Sequence, residues 1–261
     1  MEDTVATVVA VDQRLPYFSL RLQVSPAFAD TKPGQFVMLR IGERLEPFLR
    51  RAFSVFDVSK EGESVSICLL GKVIGRGTEL MAHARVGDQF GVLGPLGRGF
   101  FAANSGRSAL VAGGVGSAAL LMLARSLVEN DRVFDFYYGG RTSEDLSFCE
   151  EFEPLATASG GELIYATEDG SLGDHGLVTE PLERALRERR YDRLYGCGPM
   201  PMLAVLADLA QRFSVAGQAA LETPMGCGYG ACLGCAVPHV EGHWALCCKD
   251  GPVFDLDEVR W

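Results

Sequence analysis

The chain has 261 residues, 48% hydrophobic and 22% charged, which is typical of a globular protein with room for more than one domain. Its formal net charge of −10 argues against nucleic acid and anionic membranes as partners. The N-terminus lacks the features of a signal peptide, no apolar run is long enough to cross a bilayer, and the eight cysteines suggest a reducing compartment, so we expect a cytoplasmic protein.

The first hundred residues are predicted to form a closed antiparallel β-barrel. Short apolar segments, many with period-two alternation, are separated by turn residues, and only one helix is predicted among them, at residues 78–84. The predicted strands cover residues 5–11, 17–24, 35–41, 53–58 and 64–70. Strands at this spacing with so little helix are typical of a barrel, which we place at residues 1–101.

Two polar motifs in this barrel could bind a dinucleotide. The run R-R-A-F-S at residues 50–54 offers a guanidinium for a phosphate, an aromatic ring for a flat ligand and a hydroxyl group. The run G-R-G-T at residues 75–78 turns into the predicted helix, whose N-terminus can bind an anion. Either motif alone is more often a solvated arginine or a capped helix, but their occurrence together favours a bound dinucleotide cofactor.

The first motif resembles the R-x-[YF]-S motif of the ferredoxin-reductase flavoprotein superfamily, and residues 77–78 resemble its second phosphate motif. The resemblance implies that FAD binds to the barrel, with the arginine on its pyrophosphate and the aromatic residue and serine beside the isoalloxazine. Residues 70–72 would run along the flavin. The FAD-binding residues implied in this way are Arg51, Ala52, Phe53, Ser54, Leu70, Gly71, Lys72, Gly77 and Thr78.

Residues 102–217 are predicted to form a parallel α/β nucleotide-binding domain. Strands are predicted at 109–112, 133–138, 162–167 and 194–197, and helices at 117–127, 180–189 and 200–213. Such alternation indicates a parallel sheet covered by helices on both faces. The glycine turn G-G-V-G at 113–116 follows the first strand and could hold a pyrophosphate at a helix N-terminus, although one glycine turn is a weak signal.

A second turn, G-C-G-P-M at 196–200, ends the last predicted strand, at the sheet edge where open α/β folds bind ligands. It resembles the C-G-P-x-x-M-type signature of the same superfamily, which implies NAD binding and places Cys197 near the nicotinamide. The alternative for Cys197 is a small buried hydrophobe, because hydride transfer between two rings requires no acid or base. The implied NAD-binding residues are Gly113, Gly114, Gly116, Cys197, Gly198, Pro199 and Met200.

An acidic pair, Glu168 and Asp169, follows the third of these strands. Facing the adenosine ribose, the pair would accept hydrogen bonds from its hydroxyls and repel a 2′-phosphate, which would favour NAD over NADP. Arg141 argues weakly for the opposite preference. A solvated acidic loop explains the pair equally well.

The last segment, residues 218–261, carries cysteines with the spacing of an iron–sulfur site. The run M-G-C-G-Y-G-A-C-L-G-C at 225–235 has C-x4-C-x2-C spacing, and a fourth thiol follows at Cys247 or Cys248. This is the plant-type arrangement for a [2Fe–2S] cluster held by four thiolates. Structural zinc, which usually uses C-x2-C pairs, and disulfides, which are typical of secreted proteins, are the alternatives. The four histidines, His83, His175, His239 and His243, show no metal or catalytic spacing.

The order of flavin barrel, nucleotide domain and cysteine loop, followed by C-K-D-G-P-V-F, closely resembles the electron-transfer subunit of NAD-linked (type B) dihydroorotate dehydrogenase. The resemblance covers essentially the whole chain. It implies that the cysteine before Lys-Asp-Gly is the fourth ligand, and the neighbouring Cys247 is a departure from the family pattern. The implied metal ligands are Cys227, Cys232, Cys235 and Cys248.

The same resemblance implies a partner, an FMN-containing dihydroorotate dehydrogenase catalytic subunit in a hetero-oligomer, expected to be a heterotetramer. Electrons would pass from that FMN through the [2Fe–2S] cluster and FAD to NAD+, in pyrimidine (UMP) biosynthesis. No residue of this chain is a convincing acid or base for dihydroorotate. Two alternatives remain: a related NAD(P)H reductase subunit with another donor, of the ferredoxin transhydrogenase or hydrogenase type, and a zinc-stabilised binding module without a redox role.

Overall fold

The computed structural model describes residues 1–41, 46–102, 106–188 and 191–261 of the chain. The N-terminal part contains strands β1 (Glu2–Arg14), β2 (Tyr17–Val24), β3 (Phe36–Ile41), β4 (Arg51–Glu61), β5 (Ser64–Lys72) and β6 (Gln89–Leu96), with helix α1 (Arg76–Ala82) between the last two. The six strands close an antiparallel barrel in the order β1-β2-β5-β4-β3-β6. The predicted barrel is therefore confirmed.

Strand β6 closes the barrel by pairing with both β1 and β3, yet it is absent from the strands predicted from sequence. Its sequence, Q-F-G-V-L-G-P-L, contains glycine and proline, which are normally turn residues. A Cβ atom at Gly94 would lie 2.8 Å from the side chain of Val37. The glycine therefore allows close packing inside the barrel and does not mark a turn.

The rest of the chain contains strands β7 (Ser108–Gly113), β8 (Phe134–Gly140), β9 (Leu163–Thr167), β10 (Asp174–His175), β11 (Arg193–Cys197), β12 (Ala216–Ala220), β13 (Ala236–Pro238), β14 (Trp244–Leu246) and β15 (Val253–Asp255). Seven of them form one sheet in the order β10-β9-β8-β7-β11-β12-β15, and β13 and β14 form a hairpin. All pairs in the sheet are parallel except β12 with β15. The predicted parallel α/β domain is confirmed, and the expected domain limit at 217/218 falls within β12.

The helices of this part are α2 (Leu121–Glu129), α3 (Glu153–Ser159), α4 (Thr179–Glu188) and α5 (Met200–Phe213). The helix predicted at 117–127 is divided, because a short 3-10 helix, Gly114–Ala119, precedes α2. Residue 189, the predicted last residue of α4, lies outside the described residues. No helix in the described ranges is long and apolar enough to cross a membrane.

Three apolar cores are found among the described residues. One fills the barrel, around Phe18, Leu20 and Val92. The other two cover the two faces of the sheet, and each includes side chains of the barrel. The core that contains β3 residue Met38 also contains the buried cysteines of the C-terminal segment. The cysteine loop is therefore packed against both the barrel and the sheet.

Candidate functional site

The two polar motifs of the barrel lie next to each other. Arg51 begins β4, and Gly77 lies in the first turn of α1. A Cβ atom at position 77 would come within 2.6 Å of Arg51 Nε, so the guanidinium group rests against the glycine backbone. The Thr78 hydroxyl accepts hydrogen bonds from the amides of Ile74 at 2.9 Å and Gly75 at 3.2 Å, which orders the turn. A guanidinium beside an ordered glycine turn is suited to binding a pyrophosphate.

The predicted flavin-binding segment of β5 lies against the aromatic residue of the first motif. A Cβ atom at Gly71 would lie 3.0 Å from the ring of Phe53. Phe53 and Ser54 are half-buried, Ala52 between Arg51 and Phe53 is exposed, and Leu70 is buried. The structure thus brings the aromatic ring, the hydroxyl and the close-packed glycine together on one part of the barrel.

Lys72, the last residue of β5, forms an ion pair with Asp145 of the α/β domain. Its Nζ lies 2.7 Å from Asp145 Oδ1, and the Tyr17 hydroxyl donates to the same oxygen. Burial acts to raise the pKa of Asp145, but the hydrogen bonds from Lys72 and Tyr17 outweigh it and hold that pKa below its ordinary value. Neither Asp145 nor Tyr17 was singled out from sequence. The place of Lys72 beside a flavin stays a prediction.

The two glycine turns predicted to bind NAD pack against each other at the ends of the neighbouring parallel strands β7 and β11. A Cβ atom at Gly116 would come within 2.5 Å of the Cys197 carbonyl oxygen, and one at Gly113 within 2.7 Å of the Pro199 ring. Gly114 has a φ of +52°, which glycine adopts more readily than other residues. The turns therefore meet at the carboxyl edge of the sheet, where open α/β sheets bind ligands.

The first of these turns also touches the barrel. The 3-10 helix Gly114–Ala119 packs against β4 and β5, the strands that carry most of the predicted FAD-binding residues. Across the turn, Gly198 lies close to the backbone of Gly113, and Met200, 40% exposed, begins α5. The residues predicted to bind FAD and those predicted to bind NAD consequently lie side by side at the junction of the two domains.

Cys197 is only 1% exposed and belongs to a sheet core. Burial raises the pKa of its thiol well above the ordinary value, and nearby Glu222 and Cys247 act in the same direction. A thiol in this environment stays protonated, which is consistent with the role of a small buried hydrophobe. Its nearness to the nicotinamide stays a prediction.

The acidic pair follows β9, as predicted. Asp169 Oδ1 accepts hydrogen bonds from the Ser171 amide at 3.0 Å and from the Ser171 hydroxyl at 2.6 Å, so this oxygen belongs to a local turn. Arg141 Nε lies 3.4 Å from Asp145 Oδ2. These contacts favour a solvated loop as the explanation of Asp169, and the preference for NAD stays a prediction.

Two sets of contacts link the predicted cluster ligands of the C-terminal segment. Cys227 Sγ accepts from the amides of Ala231 at 3.3 Å and Cys232 at 3.4 Å, and Cys235 Sγ lies 3.2 Å from Cys248 Sγ. Burial acts to raise the pKa of Cys227, but backbone amides of the loop and the Cys232 thiol outweigh it and lower that pKa to about 6. A metal ligand must be deprotonated, so a thiol of low pKa suits this role.

The two adjacent cysteines of the tail point in different directions. The Asp250 carboxylate accepts a backbone hydrogen bond at 2.7 Å and closes a tight turn around them. The Cys248 amide donates to Cys235 Sγ at 3.4 Å. Cys247 Sγ donates instead to the Leu221 carbonyl oxygen, also at 3.4 Å. This arrangement favours Cys248 over Cys247 as the fourth ligand.

The cysteine loop is buried on one side and exposed on the other. A Cβ atom at the buried Gly228 would come within 2.4 Å of Met38 in β3, so the loop backbone lies directly on the barrel. Tyr229 is 54% exposed, Leu233 is 63% exposed, and Cys232 beside them is also exposed. We call Tyr229 and Leu233, with the loop between them, the cluster face.

One group of candidate ligands was missed from sequence. His239, Glu241 and His243 lie in the turn between β13 and β14, and their ligand atoms are within 4.8 Å of one another. In the sequence H-x-E-x-H the candidate ligands occur at every second residue. This spacing indicates a shared site only when the segment is known to form the turn of a hairpin. The histidines were expected to show no metal spacing, and the structure brings two of them, with Glu241, into one group of candidate ligands.

Comparison with known proteins agrees with this geometry. Residues 110–208 match the oxidoreductase NAD-binding domain, and residues 222–260 match the iron–sulfur cluster binding domain of dihydroorotate dehydrogenase B. Among solved structures, one described as an NADH-dependent reduced ferredoxin-NADP oxidoreductase has a TM-score of 0.87 at 31% identity and covers 99% of this chain and 90% of its own. The cytochrome b5 reductase domain of Ulva prolifera nitrate reductase, 17% identical with a TM-score of 0.68, shares the fold.

Several relatives bear the name dihydroorotate dehydrogenase B (NAD(+)), electron transfer subunit. The protein of Desulforamulus reducens is 37% identical over 234 residues, which are 88% of this chain and 87% of the relative. That of a Geobacillus species is 40% identical over 233 residues, which are 87% of this chain and 86% of the relative. Identity of this extent, over nearly the full length of both proteins, shows that the chain belongs to the family of dihydroorotate dehydrogenase B (NAD(+)) electron transfer subunits.

Proposed function

We propose that this chain transfers electrons from the FMN of a dihydroorotate dehydrogenase catalytic subunit, through a [2Fe–2S] cluster and FAD, to NAD+ in pyrimidine (UMP) biosynthesis. The observation that carries the proposal is a set of contacts between predicted ligands, Cys227 with the Cys232 amide and Cys235 with Cys248, next to a loop backbone that lies directly on the barrel. When bound, the cluster carries single electrons, the flavin one or two, and the nicotinamide a hydride.

Cys227, Cys232, Cys235 and Cys248 would hold the cluster. Four thiolates are the ligand set of a [2Fe–2S] cluster, and the amides directed at Cys227 Sγ stabilise negative charge on that sulfur. All eight cysteines are free thiols, as expected for a protein of the reducing cytoplasm, where we propose that it acts. A structural zinc site would satisfy the same thiols but would give no electron carrier next to the barrel.

The barrel would hold FAD through its two adjoining motifs. Arg51, resting on the Gly77 backbone, would bind the pyrophosphate, and the ring of Phe53 beside Gly71 would line the isoalloxazine. The residues Ala52, Ser54, Leu70, Lys72 and Thr78 would complete the site.

The α/β domain would hold NAD at the two packed glycine turns. Gly113, Gly114 and Gly116 would approach the pyrophosphate, because a side chain at 113 or 116 would collide with the opposite turn. Cys197, Gly198, Pro199 and Met200 would lie on the nicotinamide side. The contact of Gly114–Ala119 with β4 and β5 would bring the nicotinamide to the flavin, so the protein aligns two rings and needs no acid or base.

The cluster face would dock on the FMN-containing subunit in a hetero-oligomer, which we expect to be a heterotetramer. Its Tyr229 and Leu233 side chains present an aromatic ring and an aliphatic group, are more than half exposed, and lie within two residues of a predicted ligand. A protein surface that covers them would also bring its flavin close to the cluster. Aromatic and aliphatic anchors of this kind are typical of interface centres.

The test compares the cofactor-loaded chain alone and mixed with an FMN-containing dihydroorotate dehydrogenase subunit. Alone, it should oxidise NADH with artificial acceptors and be inert toward dihydroorotate. With the partner, dihydroorotate should reduce NAD+. Oxidation of dihydroorotate by the isolated chain would refute the proposal.

A second candidate is a reductase subunit with another electron donor. It is favoured by the 31% identity and the TM-score of 0.87 to the ferredoxin-NADP oxidoreductase structure. The relatives at 37% and 40% identity favour the dihydroorotate system. Identification of the protein that co-purifies with this chain separates the two, because an NADP-linked partner would support the second candidate.

A further inference from the structure

The turn between β13 and β14, residues 239–243 with the sequence H-V-E-G-H, gathers three side chains that can ligate a metal. Glu241 Oε2 lies 3.9 Å from His239 Nδ1 and 3.8 Å from His243 Nδ1. The two imidazole rings are stacked, with centroids 4.2 Å apart and an angle of 24° between their planes. Three donor atoms therefore already surround one point at the tip of the hairpin.

The backbone of this turn is fixed by hydrogen bonds. The His239 amide donates to the His243 carbonyl, and the Gly242 amide donates to the His239 carbonyl, both at 3.0 Å. The Val240 amide donates to the Glu258 carbonyl at 2.9 Å, which ties the turn to the C-terminal tail. Gly242 has a φ of +88°, as the tight turn requires. The backbone that carries the ligands is thus fixed before an ion binds, whereas the exposed Glu241 side chain and the stacked rings must reorient.

The charge of the turn and its ligand types favour a divalent transition metal of intermediate hardness. Within the described part of the chain, the only ion-pair partners of Glu241 are the two imidazoles, so no lysine or arginine neutralises its carboxylate. Two imidazole nitrogens and one carboxylate are typical ligands of Zn2+, whereas Ca2+ and Mg2+ prefer oxygen alone.

Ion binding requires the three side chains to move closer together and the stacked rings to rotate. With metal–ligand bonds of about 2.1 Å, neighbouring ligand atoms lie about 3.4 Å apart, so the 3.8 and 3.9 Å separations need to close by about 0.5 Å. Binding through His239 Nδ1 replaces the hydrogen bond that this atom accepts from the Glu241 amide at 3.2 Å. Because His243 is half exposed, water can occupy the fourth position.

We propose that His239, Glu241 and His243 bind Zn2+ or a chemically similar divalent transition metal. The bound ion would cross-link the turn of the hairpin whose strands adjoin two cluster ligands, and we call this cross-link the clasp. Strand β13 begins directly after Cys235, and β14 ends directly before the cysteine pair that contains Cys248. An ion at the turn therefore closes the far end of a hairpin whose near end holds the sulfur pair. The clasp, but not the binding of the ion, rests on the proposed function.

The first arm of the test measures Zn2+ binding to the cofactor-loaded full chain by calorimetry, with bound zinc and iron counted by elemental analysis. His243→Ala and Glu241→Gln should each lose one Zn2+ per chain, or weaken its Kd by at least about tenfold. His175→Ala, which removes an exposed histidine outside the turn, should bind like the parent. Because the cysteine thiols are the same in all variants, zinc bound to them cancels in the comparison. Identical isotherms for the parent and His243→Ala would overturn the site.

The second arm measures how fast the cluster absorbance decays in air, with and without one equivalent of Zn2+. Zn2+ should slow the decay in the parent and leave His243→Ala unchanged. Zinc binding without this protection would overturn the clasp. Neither readout involves dihydroorotate, so failure here is distinguishable from failure of the electron-transfer proposal.

Discussion

At the scale of single residues, the two adjacent cysteines of the tail show what the sequence can and cannot predict. The spacing of the cysteines predicts a cluster, but it leaves the fourth ligand open, and only the family resemblance selects Cys248. The structure adds a physical reason, because the tight turn closed by Asp250 directs Cys248 to Cys235 and Cys247 to the Leu221 carbonyl. That reason depends on backbone direction, which residue spacing does not specify.

We predict that Cys248→Ser removes or distorts the visible iron–sulfur absorption of the purified chain, whereas Cys247→Ser spares it. The physical reason is that Cys248 Sγ lies 3.2 Å from Cys235 Sγ, whereas Cys247 Sγ donates to the Leu221 carbonyl oxygen. Cys227→Ser, Cys232→Ser and Cys235→Ser should behave like Cys248→Ser. An intact cluster in Cys248→Ser together with its loss in Cys247→Ser would mean that the fourth ligand is Cys247.

At the scale of secondary-structure elements, the contact between β4 and α1 assembles the predicted phosphate site. Both motifs could be found from sequence, because one places an arginine at the start of a strand and the other places a glycine turn at the start of a helix. That the guanidinium rests on the glycine backbone could not be predicted, since it depends on how the helix crosses the barrel. Strand β6 was missed for a similar reason, as its glycines serve packing against Val37 and its neighbours.

We predict that Gly77→Ala weakens FAD binding by roughly ten- to a hundredfold, measured by equilibrium dialysis. The new methyl group would come within 2.6 Å of Arg51 Nε and displace the guanidinium, and a lost charge-assisted contact costs about 1.5–3 kcal/mol. Gly75→Ala is the matched control, because position 75 has an extended backbone and open space around a Cβ atom. Equal FAD affinity in Gly77→Ala and the parent would argue against this phosphate site.

The pair Lys72 and Asp145 joins β5 to the short 3-10 helix Ser143–Asp145, across the domain junction. The two residues are 73 positions apart in the chain, and Asp145 and Tyr17 are 128 apart. No local pattern encodes such a contact, because it exists only after the two domains have docked. This is the main reason why the junction could not be predicted from sequence.

We predict that Asp145→Asn destabilises the cofactor-free chain at pH 7 by about 1.5–3 kcal/mol, the usual value of hydrogen bonds to a charged group. Because the pKa of Asp145 is lowered in the folded state, its stabilisation is complete above the unfolded value near 3.9 and is lost as the pH falls below it. Thermal melting of the variant should therefore approach that of the parent in acid. Asp174→Asn, in an exposed ion pair with Arg184, should have little effect at any pH. A pH-independent difference for Asp145→Asn would contradict the ionic origin.

At the scale of the whole molecule, the C-terminal segment joins the barrel to the sheet. Strand β15 pairs with β12, the Arg98 amide of the barrel donates to the Gly251 carbonyl at 2.6 Å, and Gly228 lies on Met38. The order of the three parts was predicted from the motifs along the chain. The sequence did not predict that the α/β domain and the C-terminal segment share one sheet, because β15 is too short to be recognised as a strand.

We predict that Tyr229→Asp weakens assembly with the FMN-containing subunit without releasing FAD. A carboxylate at the centre of an interface would lose its hydration without gaining a partner. Val86→Asp is the matched control: Val86 is also exposed, at 70%, and lies just before β6, whose opposite end contacts the cysteine loop through Leu96. Sedimentation of the mixed subunits measures the association, and unchanged association of Tyr229→Asp would place the interface elsewhere.

The most direct test of the electron-transfer proposal measures NAD+ reduction by dihydroorotate in the assembled complex, with the parent chain and with Cys248→Ser. The parent complex should reduce NAD+. The variant complex, assembled but without an intact cluster, should still oxidise dihydroorotate with an artificial acceptor at the partner and should fail to reduce NAD+. Reduction of NAD+ at the parental rate in a complex shown to contain no cluster would contradict the proposed route.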